Sequence, residues 1–346
     1  MAPPAEPGCA HLHSLHVRAF RCFRSVKVDP LARVNVIVGK NNAGKTCLLE
    51  ALEVLMDPVP GTLGRIAERR EEVVLDAESK FSAPVARPLL SYSFFGRELS
   101  NQRSFEIRGS GSNEVDEPFE RYVEASPTTL GLREWYLLWN DGHSQSRCSL
   151  DLHDVLPSPA SSRGAVFVGS EPMTGKRAAN LWGEISGTSR EHRVVAALQI
   201  LEPTVQRIGA GAQPPQVFLG LEGDDDRHPL GHFGEGMGRL FSLASHLALT
   251  SGRTLLVDDI DAGLHVSTME AMWTMVLETT ANLDVQLFAT THSDDCLRGL
   301  AAALASHPEH HGAIALHRLD RAREETVHYD AAQIIQSAEA GIEVRG

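Results

Sequence analysis

Hydrophobic residues punctuate a polar segment from His11 to Ala19, with Leu12, Leu15 and Val17 among polar neighbours, and this patterning predicts a β-strand. A second short strand is expected near Ser25 to Val28, and the β-branched run Arg33 to Val38, RVNVIV, predicts a third. A glycine-rich turn follows, and then an apolar spacing that fits a helix from about Lys45 to Met56. From 57 to about 160 the pattern changes. Leu63 to Glu78 is charged and predicts a helix. Strand-like runs then come at Leu89 to Phe95, Phe105 to Arg108, Tyr122 to Glu124 and Trp135 to Trp139, separated by polar turns such as GSGSNEVDEP and PSPASSRG. The expectation is a single head spanning 1–346, with an antiparallel β-rich lobe inserted at 57–160.

The second half alternates strand and helix. Strands are expected at Ala165 to Val168, Gln216 to Leu221, Thr254 to Val257, Val285 to Thr290, Ala313 to His317 and Thr326 to Tyr329. Helical spacing covers most of Arg177 to Arg207, broken by ISGTS and Pro203. It returns in Gly234 to Thr250, Ser267 to Thr280, the stretch after THS to about Ala305, and Ala331 to Ala340. Such alternation predicts an α/β fold with a mainly parallel core sheet.

Composition narrows the class. Hydrophobic residues are 42% of 346, enough for a sizeable core, and no apolar run reaches membrane-spanning length. The Ala/Pro-rich start, Met1 to Ala10, lacks the features of a secretory signal, so a cytoplasmic location is expected. Five cysteines without CxxC spacing argue against a disulfide framework or a zinc site, and His307, His310 and His311 read as a solvated loop. A net charge of −13 disfavours a DNA-coating role, although it leaves room for a local basic groove.

The chemistry concentrates in four places. Gly39-Lys40-Asn41-Asn42-Ala43-Gly44-Lys45-Thr46 satisfies GxxxxGK[ST] between an expected strand and an expected helix. Glycines let the backbone curl so that successive N–H groups face phosphate oxygens, and the helix behind adds its positive end. Gly39, Asn41, Asn42, Ala43, Gly44, Lys45, Thr46 and Cys47 are therefore candidate ATP contacts, with Lys45 on the β- and γ-phosphates and the Thr46 hydroxyl on Mg2+. The second place is Leu255-Leu256-Val257-Asp258-Asp259, an apolar strand ending in acids at the sheet edge where ligands bind. Asp258 is the candidate second magnesium residue, Asp259 the candidate group acting on the attacking water, and Asp261 a third carboxylate nearby. Third, His292 in Thr290-Thr291-His292-Ser293 ends the next strand and can point at the γ-phosphate. Fourth, Gly234, Glu235 and Gly236 open a helix whose N-terminus makes a second anion site, which a second protomer's nucleotide can fill.

These segments together resemble a known group. VRAFRCFRSVKV and VNVIVGKNNAGKTCLLEAL are similar to the amino-terminal lobe of SMC- and RecF-like ATPases, and more closely to small AAA-type ATPases grouped with the overcoming-lysogenisation-defect (OLD) proteins. HFGEGMGRLFSLASHLAL resembles their signature helix, TLLVDDIDAGLH their Walker B and D-loop, FATTHS their histidine switch, and YDAAQIIQSAEAGIEVR the tail of standalone members. The resemblance covers nearly the whole chain outside 57 to 160 and implies a P-loop, ABC-ATPase-like head. Two protomers would sandwich two ATP molecules, with Gly39, Gly44, Lys45, Thr46, Asp258 and His292 acting in cis. Gly234, Glu235 and Gly236 would act in trans, and Ala262 to His265 would lie at the homodimer interface.

Two departures stand out. Asp259 occupies the position where the family usually has Glu, one methylene longer, so hydrolysis is expected to be slow unless Asp261 or His292 compensates. The only glutamine offered for a Q-loop, Gln102, has a poor context. No acidic cluster of the Toprim nuclease type follows Asp320, and no LSGGQ-type signature or membrane coupling points to a transporter. The reading is therefore an ATPase that dimerises around nucleotide and gates a protein effector, as the resemblance implies for standalone heads in phage defence. The alternatives are a RecF/SMC-like head that binds DNA on the assembled dimer, and a module that uses ATP as structural glue. For DNA, Arg65, Arg69 and Arg70 are the nearest approach to a basic surface, and their acidic neighbours favour a solvated helix face.

Overall fold

The computed structural model describes residues 11–72, 91–97, 104–112, 117–127, 135–140, 144–149, 164–212 and 214–341. In chain order these form β1 (His11–Arg18), β2 (Ser25–Val28), β3 (Val34–Val38), α1 (Lys45–Met56) and α2 (Pro60–Arg69). Four strands follow: β4 (Phe105–Ser112), β5 (Pro118–Pro127), β6 (Trp135–Asn140) and β7 (Gln145–Ser149). Next come β8 (Val166–Val168), α3 (Gly175–Ile185), α4 (Glu191–Leu198), β9 (Val205–Ala212), β10 (Pro215–Leu221), β11 (His228–Pro229) and α5 (Glu235–Leu249). The rest is β12 (Thr254–Val257), α6 (Met269–Asn282), β13 (Gln286–Thr290), α7 (Asp294–Ser306), β14 (Ile314–Arg318), β15 (Val327–Tyr329) and α8 (Ala331–Glu339). No described helix is long and apolar enough to cross a membrane.

A central sheet runs β15-β14-β3-β13-β12-β8, parallel throughout except for the antiparallel edge strand β15. Its inner strands are buried on both faces, which is why they read as unbroken apolar runs. Side-chain alternation then divides them between two cores. Val34, Val36, Val38, Leu255, Val257, Leu287 and Ala289 face a core built with the helices from α3 onward. Ile37, Leu256 and Phe288 face the other way, toward α1, α2 and the second sheet.

That second sheet, β2-β1-β4-β5-β6-β7, is antiparallel. The β-rich stretch of the sequence thus continues the sheet that β1 opens. Gln286, fully buried, joins the two sheets: its amide accepts from the Leu12 N–H at 2.9 Å and donates to the Leu12 carbonyl at 2.7 Å. Three local expectations need correction. The described part of Leu89 to Phe95 is not a strand; Phe94 makes only an isolated bridge to Phe20 and packs its ring 5.2 Å from Phe105. The helical stretch does not extend to Arg207, because β9 begins at Val205 and pairs with β10. The expected helix to Glu78 is formed only over Pro60–Arg69; positions 73–78 lie outside the described residues.

Arg65, Arg69 and Arg70 are not a solvated face either. They turn onto acids of α1 and its end that are almost fully buried: Glu50, Glu53 and Asp57. Arg70 Nε lies 2.5 Å from Glu50, Arg69 Nη2 2.6 Å from Glu53, and Arg65 Nη2 2.7 Å from Asp57. Arg21, from the β1–β2 turn, adds a 2.8 Å contact to Glu50. Buried carboxylates are tolerated only when paired and hydrogen-bonded in this way, so these guanidinium groups are committed to holding α2 and the turn onto α1.

His317, on β14, is buried with its Nδ1 3.1 Å from Thr326 Oγ1. Burial, reinforced by the His328 ring, draws its pKa from 6.5 to about 4, against weaker opposition from the Pro30 carbonyl and Asp29. The unfolded chain binds this proton more readily, so the stability is complete above pH 6.5 and is lost as pH falls toward 4, by up to about 3 kcal/mol. Chemical denaturation between pH 7 and 4 should show that loss, with a shallower slope in His317→Gln.

Candidate functional site

The carboxyl edge of the central sheet gathers the chemistry. Past β3, the loop Gly39–Gly44 curls with φ of 153° at Gly39, 64° at Asn42 and 106° at Gly44. Glycine is demanded twice over at Gly44: a Cβ there would lie 2.7 Å from Cys22 Sγ and 2.8 Å from the Phe23 ring. At Gly39 a Cβ would meet the Leu319 carbonyl at 2.6 Å. The Lys45 ammonium folds over this loop, donating to the carbonyls of Gly39 at 2.9 Å and Lys40 at 3.3 Å. Burial draws its pKa below the usual lysine range, opposed by the charges of Asp259 and Asp258.

Beside it, β12 delivers Asp258. The Thr46 hydroxyl donates to Asp258 Oδ2 at 2.8 Å, and the Thr290 hydroxyl, closing β13, donates to Oδ1 at 2.5 Å. The Asp258 N–H donates to the Val168 carbonyl at 2.8 Å, which ties the turn to β8. Asp259 has φ of 46°, a left-handed conformation that a non-glycine residue keeps only when its surroundings hold it there. Three contacts do so: its N–H donates to Thr290 Oγ1 at 2.9 Å, and its carbonyl accepts from Arg239 at 2.6 Å and from the Ala262 N–H at 2.9 Å. Its carboxylate lies 3.1 Å from His292 Nδ1, and both side chains are open to solvent. Asp261 points elsewhere, accepting from the Thr291 hydroxyl at 2.7 Å.

Arg239 is the residue that the sequence pattern did not disclose. It sits on the apolar face of α5 at 7% exposure, between Met237 and Leu240. Its guanidinium donates to four backbone carbonyls: Gly169 at 2.6 Å, Asp258 at 2.7 Å, Asp259 at 2.6 Å and Ile260 at 3.3 Å. Five donors in a rigid fork suit that task. Burial draws its pKa down while Asp261, Asp259, Asp258 and Glu171 oppose the shift. A charged residue on an otherwise apolar helical face was the one signal available for it.

Gly234, Glu235 and Gly236 open α5. They adjoin the D-loop, where a Cβ on Gly236 would lie 3.0 Å from the Gly263 carbonyl. Gly234, Glu235, Ala262, Gly263, Glu171 and Arg239 share the walls of a cavity of about 410 Å³. Asn41, Asn42 and Ala43 line a different one of about 400 Å³, with Lys40, Arg318 and Arg321. One chain brings Lys45, Thr46, Asp258, Asp259 and His292 together, and the α5 N-terminus lines a different cavity from Asn41, Asn42 and Ala43. Cys47 turns its thiol toward Arg70 Nη2 at 3.4 Å, leaving its position in the first turn of α1 as its link to the loop. Gln102 lies outside the described residues, and β8 runs into Gly169-Ser170-Glu171 with no glutamine there. His310 and His311 fall in a 3-10 segment, Pro308–Ala313, that His307 precedes; His307 contacts Glu309 and His311 the Leu304 carbonyl.

An arrangement of loop amides, one ammonium group and a helix N-terminus can grip a polyphosphate. Magnesium fits the adjoining oxygens. The Thr46 hydroxyl and one Asp258 oxygen already converge at 2.8 Å, and both are hard donors of the kind this ion prefers.

Comparison with known proteins finds matches to AAA-type ATPase domains. Residues 11–84 match the family described as "AAA ATPase domain", and residues 158–297 match "AAA domain, putative AbiEii toxin, Type IV TA system". An "ATP/GTP phosphatase" of Helicobacter pylori is 20% identical over 328 residues, spanning 82% of this chain and 86% of that protein. A "DNA replication and repair protein RecF" of Thioalkalivibrio sulfidiphilus is 48% identical over 44 residues, which is 13% of this chain and 12% of the relative. Among solved structures, an SMC head bound to the C-terminal winged-helix domain of ScpA superposes with a TM-score of 0.56 at 16% identity, covering 92% of this chain and 98% of that one. The fold is that of an SMC-head-like P-loop ATPase, and residues 11–84 and 158–297 each match an AAA-type domain family.

Arg239→Met would leave four carbonyls without their shared donor and loosen the backbone at Asp259. Nucleotide turnover should fall at least about tenfold while nucleotide affinity changes by less than about threefold, since Arg239 touches no loop residue from Gly39 to Thr46. Paired turnover and binding titrations check this; unchanged turnover would remove Arg239 from the account.

Proposed function

We propose that this protein is a cytoplasmic ATP-binding and ATP-hydrolysing head that dimerises around nucleotide and regulates a partner effector. The observation that carries the catalytic part is the convergence at one sheet edge of Lys45, the Thr46–Asp258 hydrogen bond at 2.8 Å and the Asp259–His292 contact at 3.1 Å.

Lys45 and the amides of Gly39 to Thr46 hold the triphosphate, and Thr46 and Asp258 hold magnesium. Magnesium, when bound, offsets phosphate charge as it develops on the leaving oxygen. Asp259 orients a water against the γ-phosphate and accepts its proton; the water oxygen bonds to phosphorus as the bond to the ADP oxygen breaks. His292 steadies the Asp259 carboxylate from its outer side and senses the γ-phosphate. This pairing compensates in part for the short aspartate arm. A partner's Gly234, Glu235 and Gly236 complete the site in trans.

The effector part rests on the OLD-like resemblance and on the match at 158–297 to a family described by a toxin of a toxin–antitoxin system. Control of such an effector would place the protein in phage defence. The local RecF match favours a second reading, DNA binding on the ATP-bound dimer. Against it, the net charge is −13 and Arg65, Arg69 and Arg70 are committed to buried acids.

Lys45→Ala should lower ATP turnover by at least about a hundredfold, and turnover equal to the parent would reject the assignment. Asp259→Asn should be nearly inactive. Asp259→Glu, which restores the usual reach, should raise turnover by roughly two- to tenfold if the short arm limits the reaction. Phosphate release at saturating ATP measures all three. An ATP-dependent, salt-sensitive shift of duplex DNA would move the assignment to the second reading.

A further inference from the structure

One side of the phosphate-binding loop faces away from the acids. The central sheet sets β3 between β13 and β14. On the β13 side lie Asp258, Asp259 and His292. On the other side, the chain leaving β14 passes over the start of the loop. The Leu319 N–H donates to the Val38 carbonyl at 2.8 Å, and the Leu319 carbonyl lies so close to Gly39 that a Cβ there would meet it at 2.6 Å. Asp320 then turns the chain: its Oδ1 accepts from the Ala322 N–H at 3.0 Å and its carbonyl from the Arg323 N–H at 3.0 Å. Between this turn and the loop lies the cavity of about 400 Å³ that Lys40, Asn41 and Asn42 share with Arg318, Asp320 and Arg321. Arg65, Arg69, Arg70 and Arg239 are committed to acids or carbonyls of their own chain. Lys40, Arg318 and Arg321 form no ion pair with an acid among the described residues.

We propose that this cavity seats the purine nucleoside of the bound nucleotide, with the guanidinium groups of Arg318 and Arg321 against the faces of the base. The proposal rests on the nucleotide reading of Gly39 to Thr46 and adds the direction in which the molecule lies. With the γ-phosphate at Asp259 and the phosphates along the loop amides, the sugar and base leave across β3 toward β14. That is where the chain supplies a cavity, of a volume within the roughly 300–1,000 Å³ range of small-molecule sites.

No aromatic side chain lines the cavity, so stacking on the base falls to the arginines. A guanidinium group is planar, weakly hydrated and attracted to the face of a π-system, which a lysine ammonium replaces poorly. The tight seat of Leu319 on Gly39 and Val38 fixes where Arg318 and Arg321 start relative to the loop, so the distance from phosphates to base is built into the fold. The same cations could instead meet phosphate oxygens, and the two occupants separate in a binding experiment.

The test measures equilibrium binding of ATP and of inorganic tripolyphosphate, each with magnesium, to the full-length protein and its variants, and maps the adduct of 8-azido-ATP after illumination. Arg318→Ala and Arg321→Ala should each weaken ATP binding at least about fivefold and leave tripolyphosphate binding within about twofold, because the lost contact is to a ring. Arg321→Lys, which keeps the charge and loses the plane, should weaken ATP binding to a similar degree. The azido adduct should fall within 40–43 or 318–321. Equal losses for ATP and tripolyphosphate would assign the cations to the phosphates and overturn the proposal. Unchanged ATP affinity in both alanine variants, or an adduct confined to other segments, would overturn it as well. Arg321 is exposed, so if Arg318→Ala does not fold, Arg321→Ala and the adduct decide. Failure of the parent to bind either ligand would count against the nucleotide site itself, whereas binding of both without any effect of the arginines rejects the nucleoside seat alone.

Discussion

The hydrogen bond from Thr46 to Asp258 is the point at which separate parts of this chain become one site. It joins the helix behind the loop to the end of β12, and Thr290 from β13, the strand between β3 and β12, closes on the other Asp258 oxygen. Three segments distant in sequence are thereby fixed within ångströms of one another. The buried parallel sheet makes this geometry stable, because each strand contributes apolar residues to cores on both faces and cannot slide without exposing them.

Around that bond lie two kinds of restraint. Arg239 holds the backbone beyond β12 through three carbonyls and the end of β8 through the Gly169 carbonyl. The buried ion pairs of Glu50, Glu53 and Asp57 lock α2 and the β1–β2 turn to α1. The first ties α5 to the acidic turn that carries Asp259. The second commits the arginines that would otherwise suggest a nucleic-acid face.

The parts legible in the sequence were those with local causes. Gly39 to Thr46 is read from a glycine requirement that belongs to the loop itself, and Asp258 from its place at the end of an apolar strand. The parallel core followed from strand–helix alternation. What escaped depends on tertiary partners. Thr290 becomes an Asp258 clamp only when β13 lies beside β12, and Arg239 acts through backbone carbonyls that carry no side-chain signature. β7, QSRCS, is a polar edge strand recognisable only by its pairing with β6, and β9, VQRIGAGA, is rich in small residues and follows a proline. Leu89 to Phe95 misled because Phe94 is apolar for the sake of an aromatic cluster and not for a ladder.

The central claim is that the Lys45 ammonium and the Thr46–Asp258 pair receive a magnesium-bound triphosphate. A crystal structure with a non-hydrolysable ATP analogue and magnesium tests it most directly. The account predicts that Lys45 Nζ leaves the Gly39 and Lys40 carbonyls for the β- and γ-phosphate oxygens, with a metal ion between Thr46 and Asp258. Nucleotide bound elsewhere, or Lys45 still seated on Gly39 beside a bound triphosphate, would contradict it.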